Sequence, residues 1–206
     1  KSYEDGYNLC LSGSAGSGKT FLALYLALED VLNKDTPYDK VVIIRSVVPT
    51  RDIGFLPGNE DEKLDAYAGP YKGIMTELFA DGNAWEKLVN QQFVEFTSTS
   101  FIRGITISNA IVIVDEMQNL NFHELDSVIT RLGEATKLIM CGDYYQSDFD
   151  KEKDRSGILN FLEIIQRMKY FDHIEFSWED IVRSGLVREY IMTKEQMVDD
   201  GQIQKI

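Results

Sequence analysis

Short apolar runs recur along the chain, and polar or mixed stretches separate them. Five of these runs have the length of strands, at residues 7–11, 41–48, 110–114, 137–141 and 173–176. Most are apolar almost without interruption, which is typical of strands buried on both faces of a parallel sheet. Residues 93–96 form a weaker strand candidate. The pattern therefore predicts a sheet built mostly from parallel strands.

Stretches with helical spacing lie between several of the strand candidates. They cover residues 20–32, 121–131 and 157–168. The first stretch is apolar nearly all round, so we expect neighbouring elements to cover it on more than one side. Strands that alternate with helices predict an α/β fold with a mostly parallel central sheet.

Residues 50–90 break this alternation, because glycine and proline punctuate the segment and acidic residues cluster near its start. We interpret it as a loop-rich insertion that carries short helices. A chain of 206 residues can bury one substantial core without disulfides or a structural metal. We therefore expect a single domain over residues 1–206, with the insertion at about residues 50–90 and a polar tail at about residues 193–206.

The chain is strongly acidic, with 34 Asp and Glu against 21 Lys and Arg, a formal net charge of −13. This balance argues against a simple nucleic-acid-coating protein, which needs a basic excess to neutralise phosphates. Hydrophobic residues at 44% and aromatic residues at 11% are too frequent for a disordered acidic chain. Any nucleic-acid strand would have to meet a local basic stripe on an acidic molecule.

No stretch of the sequence is long and apolar enough to predict a membrane span. The longest unbroken apolar run, residues 21–28, falls well short of the roughly 18 residues required. No signal-like leader opens the chain either, so we expect a cytoplasmic protein without membrane association. Because the first residue is Lys1, we also expect residues upstream of it in the full protein. Cys10 and Cys141 lack partners at metal-ligand spacing and are predicted to be buried core residues.

A glycine cluster follows the first strand candidate and matches the pattern G-x-x-x-x-G-K-[ST] in full. Its residues are Gly13, Ser14, Ala15, Gly16, Ser17, Gly18, Lys19 and Thr20. Successive backbone N–H groups of such a loop, with the N-terminus of the following helix, bind phosphates. The motif predicts an ATP site in which Lys19 bridges the β- and γ-phosphates and the Thr20 hydroxyl ligates Mg²⁺. We call residues 13–20 the P-loop.

An acidic pair follows the strand candidate at residues 110–114. Asp115 stands where a Walker B carboxylate holds the metal and its water, and we assign it to Mg²⁺. Glu116, beside the metal, is expected to polarise the attacking water, which favours hydrolysis over slow switching. The alternative is that Glu116 faces solvent and caps the next helix.

A second polar cluster follows the strand candidate at residues 137–141. Ligands of open α/β sheets bind at this rim of the strands, so Gln146 is expected to contact the γ-phosphate and the attacking water. Alternatively, Asp143 and Gln146 cap a turn. Tyr144 and Tyr145 either stack on a base or are ordinary surface tyrosines.

The spacing of the motifs separates the classes of P-loop protein. The nearest match to the guanine-reading pattern N-K-x-D, residues 33–36, has Thr36 where Asp is required, which argues against a GTPase. Small-molecule kinases need no glutamate after the Walker B aspartate and usually carry a basic lid. The long segment between Lys19 and Asp115 leaves room for two further strands between the motif strands. This layout predicts a three-layer RecA-like P-loop NTPase.

Several segments within residues 7–191 match one known family. They are the P-loop, Ile44-Arg45-Ser46-Val47-Val48-Pro49, Gly54-Phe55-Leu56-Pro57-Gly58 with Glu62-Lys63, Phe101-Ile102-Arg103-Gly104, Asp115-Glu116-Met117-Gln118-Asn119, Gly142-Asp143 with Gln146, and Asp180-Ile181-Val182-Arg183. Through them the chain resembles the PhoH family, P-loop ATPases related to the core of superfamily 1 helicases. The resemblance implies Mg²⁺-dependent ATP hydrolysis, coupled to remodelling of RNA or single-stranded DNA.

Two other functions stay open. One is a nucleotide-dependent regulatory or binding module without unwinding activity, and the other is a small-molecule kinase. A strand path for the helicase-like motor would run along Arg45, Thr50, Arg51, Arg103 and the insertion rich in glycine and proline.

Hydrolysis also requires a positive charge opposite Lys19 to stabilise the transition state. The candidates for this arginine finger or sensor are Arg45, Arg103, Arg155 and Arg183, each of which could instead form an ordinary surface salt bridge. One RecA-like core fills this chain, so we expect another subunit to supply the arginine, preferably Arg183 or Arg155. A homo-oligomeric ring, such as a hexamer, follows.

The acidic residues near the C-terminus, Glu195, Asp199 and Asp200, belong to the predicted polar tail. We expect them, like the acidic residues at 60–65, to lie away from the phosphate rim.

Overall fold

The computed structural model describes residues 1–46, 60–143 and 152–203, with the side chains of residues 60–63 and 152–156 left aside. Its strands are β1 (Asn8–Gly13), β2 (Lys40–Arg45), β3 (Val94–Ser98), β4 (Ala110–Asp115), β5 (Thr136–Gly142) and β6 (Phe171–Phe176). Its helices are α1 (Lys19–Leu32), α2 (Glu60–Tyr67), α3 (Gly69–Phe79), α4 (Ala84–Asn90), α5 (Phe122–Ile129), α6 (Glu152–Gln166) and α7 (Gly185–Asp199). Short 3₁₀ turns occur at Met117–Asn119 and Trp178–Asp180.

The strands form one sheet in the order β3-β2-β4-β5-β1-β6, with parallel pairing and flanking helices. This confirms the predicted α/β, RecA-like fold. One detail differs from the expectation. In the sheet, the strand between β1 and β4 is β5, which follows both in the chain, whereas β2 and β3 lie beyond β4. Sequence distance between two motifs therefore does not tell which strand separates them.

The chain divides into two compact units, the first comprising Lys1–Ala23, Val114–Asp126 and Leu138–Ile206. Within it, β1 pairs with β5 and with β6, for example Leu11 with Cys141 and with Ile174. The side chain of Asn8 ties the starts of these strands together, because it accepts from Leu138 N at 2.8 Å and donates to Tyr170 O at 3.2 Å. The carboxyl end of β1 is thereby set in register with two neighbours.

The second unit comprises Leu24–Ile113 and Ser127–Lys137. Its strands β2 and β3 pair in parallel from Val41 with Val94 to Arg45 with Ser98. The rings of Tyr71, Trp85 and Phe96 pack together with centroids 5.3 to 6.5 Å apart, which joins α3 and α4 to β3.

The described part of the predicted insertion is mainly helical. Helices α2, α3 and α4 occupy most of residues 60–90, and Pro70 stands in the first turn of α3, where a missing N–H has no consequence. Residues 47–59, including Thr50, Arg51 and the Gly-Phe-Leu-Pro-Gly segment, lie outside the described residues.

Helix α7 was not predicted, and residues 193–199 of the predicted polar tail form its last turns. Few residues of α7 are buried, and apolar side chains such as Leu186 and Tyr190 are exposed. Because the helix buries no regular apolar face, its sequence lacks the apolar periodicity that indicates a helix. Within the described ranges, none of the helices combines the length and apolar character of a membrane span.

Candidate nucleotide-binding site

The P-loop connects the end of β1 to the first turn of α1. Gly13, Gly16 and Gly18 have φ angles of 123°, 73° and 78°, which residues with a Cβ rarely adopt. Gly13 is also required by packing, since a Cβ there would stand 2.0 Å from the carbonyl oxygen of Phe176 on β6. The glycines therefore permit a loop whose N–H groups, with the free N–H groups of α1, can surround an anion.

Lys19, the first residue of α1, is only 8% exposed. Its Nζ donates to Gly13 O at 2.9 Å, to Ser14 O at 2.7 Å and to Ser17 Oγ at 3.0 Å. Burial lowers the pKa of Lys19, and the charge of Asp143 is the largest of the opposing influences. The ammonium group is thus held at the loop and close to carboxylates at the ends of neighbouring strands.

Thr20 and Asp115, predicted as a metal-binding pair, are in contact. Thr20 Oγ1 donates to Asp115 Oδ1 at 2.8 Å, although 95 residues separate the two in the chain. Asp115 is the last residue of β4 and is buried. A hydroxyl and a carboxylate side by side are the oxygen ligands that Mg²⁺ takes next to nucleotide phosphates.

Glu116 has a left-handed backbone, with φ 52° and ψ 43°, an uncommon conformation for a residue with a side chain. It is the N-cap residue of the turn Met117–Asn119, but its side chain makes no capping hydrogen bond there. Helix α5 is capped by Asn121 and Glu124, each of which accepts from the other's backbone N–H. A capping role for Glu116 therefore finds no support in these contacts. Such local strain is commonly found at functional sites.

Gln118 connects Glu116 to the end of β5. Its Nε2 donates to Glu116 Oε2, and its Oε1 accepts from the backbone N–H of Asp143 at 3.0 Å. Gln118 is 2% exposed, so its amide is buried, and its contact with Asp143 N lies inside the protein, whereas Glu116 is half-buried. In the sequence, Gln118 stands two positions after Glu116 and belongs to the segments that resemble the PhoH family. Nothing in the sequence predicted its contacts with Glu116 and Asp143.

Of the candidate residues after β5, the structure describes Asp143 but not those that follow it. This residue is buried next to Lys19, whereas Gln146, Tyr144 and Tyr145 lie outside the described residues. Their predicted contacts with phosphate or base stay predictions.

Arg183 lies against the P-loop of its own chain. Val182 N donates to Gly16 O at 3.1 Å, and a Cβ at Gly16 would stand 2.9 Å from Arg183 Cγ. Arg45 and Arg103 belong to the other compact unit, where the guanidinium of Arg45 lies 5.8 Å from the ring centre of Tyr67.

Arg155 lies in α6, and its side chain is not among those described. The structure thus brings Arg183 to the P-loop and leaves the other arginines as predictions.

Glu195 contradicts the expectation that the C-terminal acidic residues lie away from the phosphate rim. It is 3% exposed, and its Oε2 accepts from Ser14 Oγ of the P-loop at 2.8 Å and from Trp178 Nε1 at 2.6 Å. The prediction was wrong because residues 193–199 continue a helix, which turns one carboxylate inward. Asp199, at the end of the same helix, is exposed.

A comparison with protein families agrees with this arrangement. The model of the family described as PhoH-like protein matches residues 7–195. The chain belongs to the PhoH-like family. With the complete P-loop motif, this membership makes the PhoH-like chain a P-loop NTPase, a class of nucleotide-binding proteins.

Curated relatives of this PhoH-like chain support the same family. The chain is 34% identical to a PhoH-like protein of Bacillus subtilis (strain 168) over 181 residues, which is 87% of this chain and 55% of the relative. It is 33% identical to Protein PhoH of Escherichia coli (strain K12) over 188 residues, 90% of this chain and 52% of the relative. The chain therefore spans about half the length of these relatives.

Solved structures similar to the chain are more distant. The large terminase of a thermophilic bacteriophage, in complex with ADP, has a TM-score of 0.49 and 14% identity, covering 91% of this chain and 44% of the terminase chain. The Pyrococcus furiosus Hef helicase domain has a TM-score of 0.41 and 13% identity, covering 82% of this chain and 35% of that chain. Likenesses at this distance say nothing about function.

The donor set at the P-loop fits a magnesium nucleotide. Among the described side chains, no group of three or more His, Cys, Asp or Glu is placed to hold a metal by itself. Thr20 and Asp115 provide two oxygen ligands, and Mg²⁺ commonly completes its shell with phosphate oxygens and water. The site therefore suits a metal that arrives with phosphates.

Proposed function

We propose that the chain binds Mg²⁺ and ATP at the P-loop and hydrolyses the nucleotide. The observation that carries the proposal is the convergence of Lys19, the pair Thr20 and Asp115, and Glu116 around one loop. These residues combine a phosphate-binding cation, two oxygen ligands for a metal and a candidate base.

Phosphate binding falls to the loop amides and Lys19. The N–H groups of residues 13–20 and the N-terminus of α1 receive the phosphate oxygens. Lys19, whose Nζ donates to Gly13 O and Ser14 O, gives up bonds to these carbonyls and donates to the β- and γ-phosphates. Thr20 and Asp115 would hold Mg²⁺, which when bound neutralises charge on the phosphates.

Glu116 is proposed as the general base. It accepts a proton from a water molecule that attacks the γ-phosphorus, while the bond to the bridging oxygen of ADP breaks and ADP leaves with inorganic phosphate. Gln118 holds the Glu116 carboxylate through Nε2 and is itself held by Asp143 N. Gln118 is therefore proposed as a positioning residue, and Gln146 as a second group near the γ-phosphate.

A positive charge must also reach the γ-phosphate. The contact of Arg183 with Gly16 supports a role for this arginine within its own chain. Arg155 is then the preferred residue for a neighbouring copy in a homo-oligomeric ring, with Arg45 and Arg103 as further candidates.

We further propose that hydrolysis drives remodelling of RNA or single-stranded DNA. The family resemblance supports this coupling, and the basic residues Arg45 and Arg103 are candidates for the strand path. The net charge of −13 favours the second candidate, a nucleotide-dependent module that acts on a protein partner.

The ATPase rate with and without a strand separates these functions. We expect Mg²⁺-dependent phosphate release that single-stranded RNA or DNA stimulates at low salt and less at high salt. Release that no strand changes would favour the regulatory module. Transfer of phosphate to an acceptor in place of release into solution would identify a kinase, and failure to bind ATP would contradict the whole proposal.

A further inference from the structure

A buried carboxylate from the last helix lies against the P-loop. Glu195 of α7 is 3% exposed, and Ser14, the loop residue that it contacts, is 4% exposed. Ser14 Oγ donates to Glu195 Oε2 at 2.8 Å across 181 residues of chain. Neither side chain has a part in the proposed hydrolysis, so the contact requires a separate explanation.

The same carboxylate oxygen also accepts a hydrogen bond from Trp178. The distance from Trp178 Nε1 to Glu195 Oε2 is 2.6 Å. Trp178 begins a short turn that Ser177 and Asp180 cap, with Ser177 N donating to Asp180 Oδ2 at 2.7 Å. One oxygen of Glu195 thus joins the P-loop to the capped turn that follows β6.

The hydrogen bonds to Glu195 come from two neutral donors. The other carboxylate oxygen, Oε1, is buried and has no hydrogen-bond partner among the described atoms. Burying a polar group in this way costs free energy unless hydrogen bonds compensate for the lost contact with water. A strong contact with Ser14 is the gain that can offset this cost.

Ser14 connects this contact to the lysine of the site. Its backbone carbonyl accepts from Lys19 Nζ at 2.7 Å and from Ser17 Oγ at 2.8 Å. Fixing the Ser14 side chain therefore also limits the movement of the carbonyl that holds Lys19. The C-terminal segment meets the loop at a second point, where Val182 N donates to Gly16 O.

We propose that Glu195 is a positioning residue of the nucleotide site, acting through Ser14 to hold the P-loop and Lys19 in the arrangement that receives phosphates. The inference rests on the proposed function, because it assumes that a nucleotide binds at the loop. It makes α7 part of the nucleotide site, and it links the position of this helix to nucleotide binding.

The first test compares Glu195→Ala with Glu195→Gln. A loop held in place contributes equally to phosphate binding in the ground state and in the transition state. Glu195→Ala should therefore raise KM for ATP and Kd for Mg·ADP about tenfold, and it should change kcat less than about threefold. Since one oxygen of Glu195 accepts both bonds, the amide oxygen of glutamine can replace it. Glu195→Gln should therefore stay within about threefold of the unaltered chain in Kd.

Ser14→Ala tests the route from Glu195 to the loop. It removes one hydroxyl at the edge of the site and leaves α7 intact, so it separates a loop effect from unfolding of the helix. We expect the same rise in Kd as in Glu195→Ala and no further rise in the double variant, because both changes break one contact. Glu189→Ala, an exposed glutamate on the same helix, is the matched control and should change nothing.

Trp178 provides a readout that does not depend on turnover. The chain has two tryptophans, Trp85 and Trp178, and the indole of Trp178 donates to Glu195. Mg·ADP should change the fluorescence of the unaltered chain and of Trp85→Phe, but not that of Trp178→Phe. In Glu195→Ala, the fluorescence change should need about tenfold more nucleotide, and the amides of the P-loop should exchange hydrogen faster without nucleotide.

The outcomes distinguish this inference from the proposed function. If the unaltered chain binds and hydrolyses ATP while Glu195→Ala leaves Kd and amide exchange unchanged, the role of Glu195 is refuted and the ATPase proposal stands. A loss of kcat alone, or a Glu195→Gln variant as weak as Glu195→Ala, also refutes positioning through hydrogen bonds. If the unaltered chain binds no nucleotide, the proposed function fails and this inference fails with it.

Discussion

Gln118 explains how a strained glutamate is held in a defined orientation. The backbone of Glu116 is left-handed, and the Gln118 amide donates to its carboxylate and so restricts the rotation of that group. The other end of that amide accepts from Asp143 N, so the orientation is set by the end of β5. A general base needs such fixed geometry as much as a suitable pKa.

Removing this amide should slow hydrolysis without weakening nucleotide binding. We expect Gln118→Ala to lower kcat about tenfold, less than the loss of a general base itself would, because Glu116 remains but is less well placed. Kd for Mg·ADP should change less than about twofold. Gln91→Ala, an exposed glutamine, is the control, and an equal loss of nucleotide affinity in Gln118→Ala would contradict a positioning role.

Lys137 offers a test of buried charge in the second compact unit. Burial lowers its pKa, while the charge of Asp30 opposes the shift, and its Nζ lies 5.9 Å from the ring centre of Tyr38, whose own pKa burial raises. Below its lowered pKa, the folded chain bears the full cost of burying this cation. That cost disappears as the pH rises toward 10.5, the pKa of an ordinary lysine.

The unfolding free energy should therefore rise with pH relative to Lys137→Met. Chemical denaturation from pH 7 to about 9.5, below the pKa of about 10 of an ordinary tyrosine, measures this difference. Across this range, the unfolding free energy of the unaltered chain should increase relative to that of Lys137→Met. A difference that is constant with pH would contradict the lowered pKa.

Gly13, at the turn from β1 into α1, is required by the structure, whereas Gly73 in α3 is not. Gly13 needs both a positive φ and an open space beside Phe176, whereas Gly73 lies inside α3, where an added Cβ would meet no atom within 4 Å. Gly13 is required because β1 and β6 approach closely there. Gly73 has no such requirement, and glycine has a low helix propensity.

Alanine substitutions at these two glycines should have opposite effects. Gly13→Ala should lower the unfolding free energy by about 3 kcal/mol, from backbone strain and overlap with a carbonyl. Gly73→Ala should raise it by about 0.5 kcal/mol, because alanine favours the helix. Urea denaturation measures both changes, and a Gly13→Ala chain of unaltered stability would contradict the packing of β1 on β6.

The elements that the sequence predicted well are those that a local pattern defines. The order β1, P-loop and α1 follows from consecutive residues, and β2, β4 and β5 are apolar runs that need no distant partner to be recognised. Helix α7 buries too little to leave a clear period. The contact of Glu195 with Ser14 joins residues 181 positions apart, and no local pattern records it.

The acidity of the molecule as a whole now has a more specific meaning. One carboxylate, that of Glu195, lies at the P-loop itself. In the proposed function, phosphate binds there through oriented amides, Lys19 and Mg²⁺, and not through the net charge of the chain, which is −13. A nucleotide that carries Mg²⁺ reduces this repulsion.

An assembly of several copies would complete the site, and complementation between variants tests it. Lys19→Ala should abolish nucleotide binding, and Arg155→Ala should remove the charge supplied to a neighbour, so neither chain alone should hydrolyse ATP well. A mixture should regain activity, because Lys19→Ala chains supply Arg155 to intact sites. Mixtures without recovery, or a fully active monomer by light scattering, would contradict an arginine acting between copies.

The central claim is that the chain hydrolyses ATP with Glu116 as the base. The most direct test measures phosphate release and Mg·ATP binding for the unaltered chain, for Glu116→Gln and for the control Glu189→Ala. We predict that Glu116→Gln binds Mg·ATP within about threefold of the unaltered chain and releases phosphate at least about 100-fold more slowly. Glu189→Ala should match the unaltered chain in both measurements. Equal phosphate release by Glu116→Gln and the unaltered chain would contradict the account.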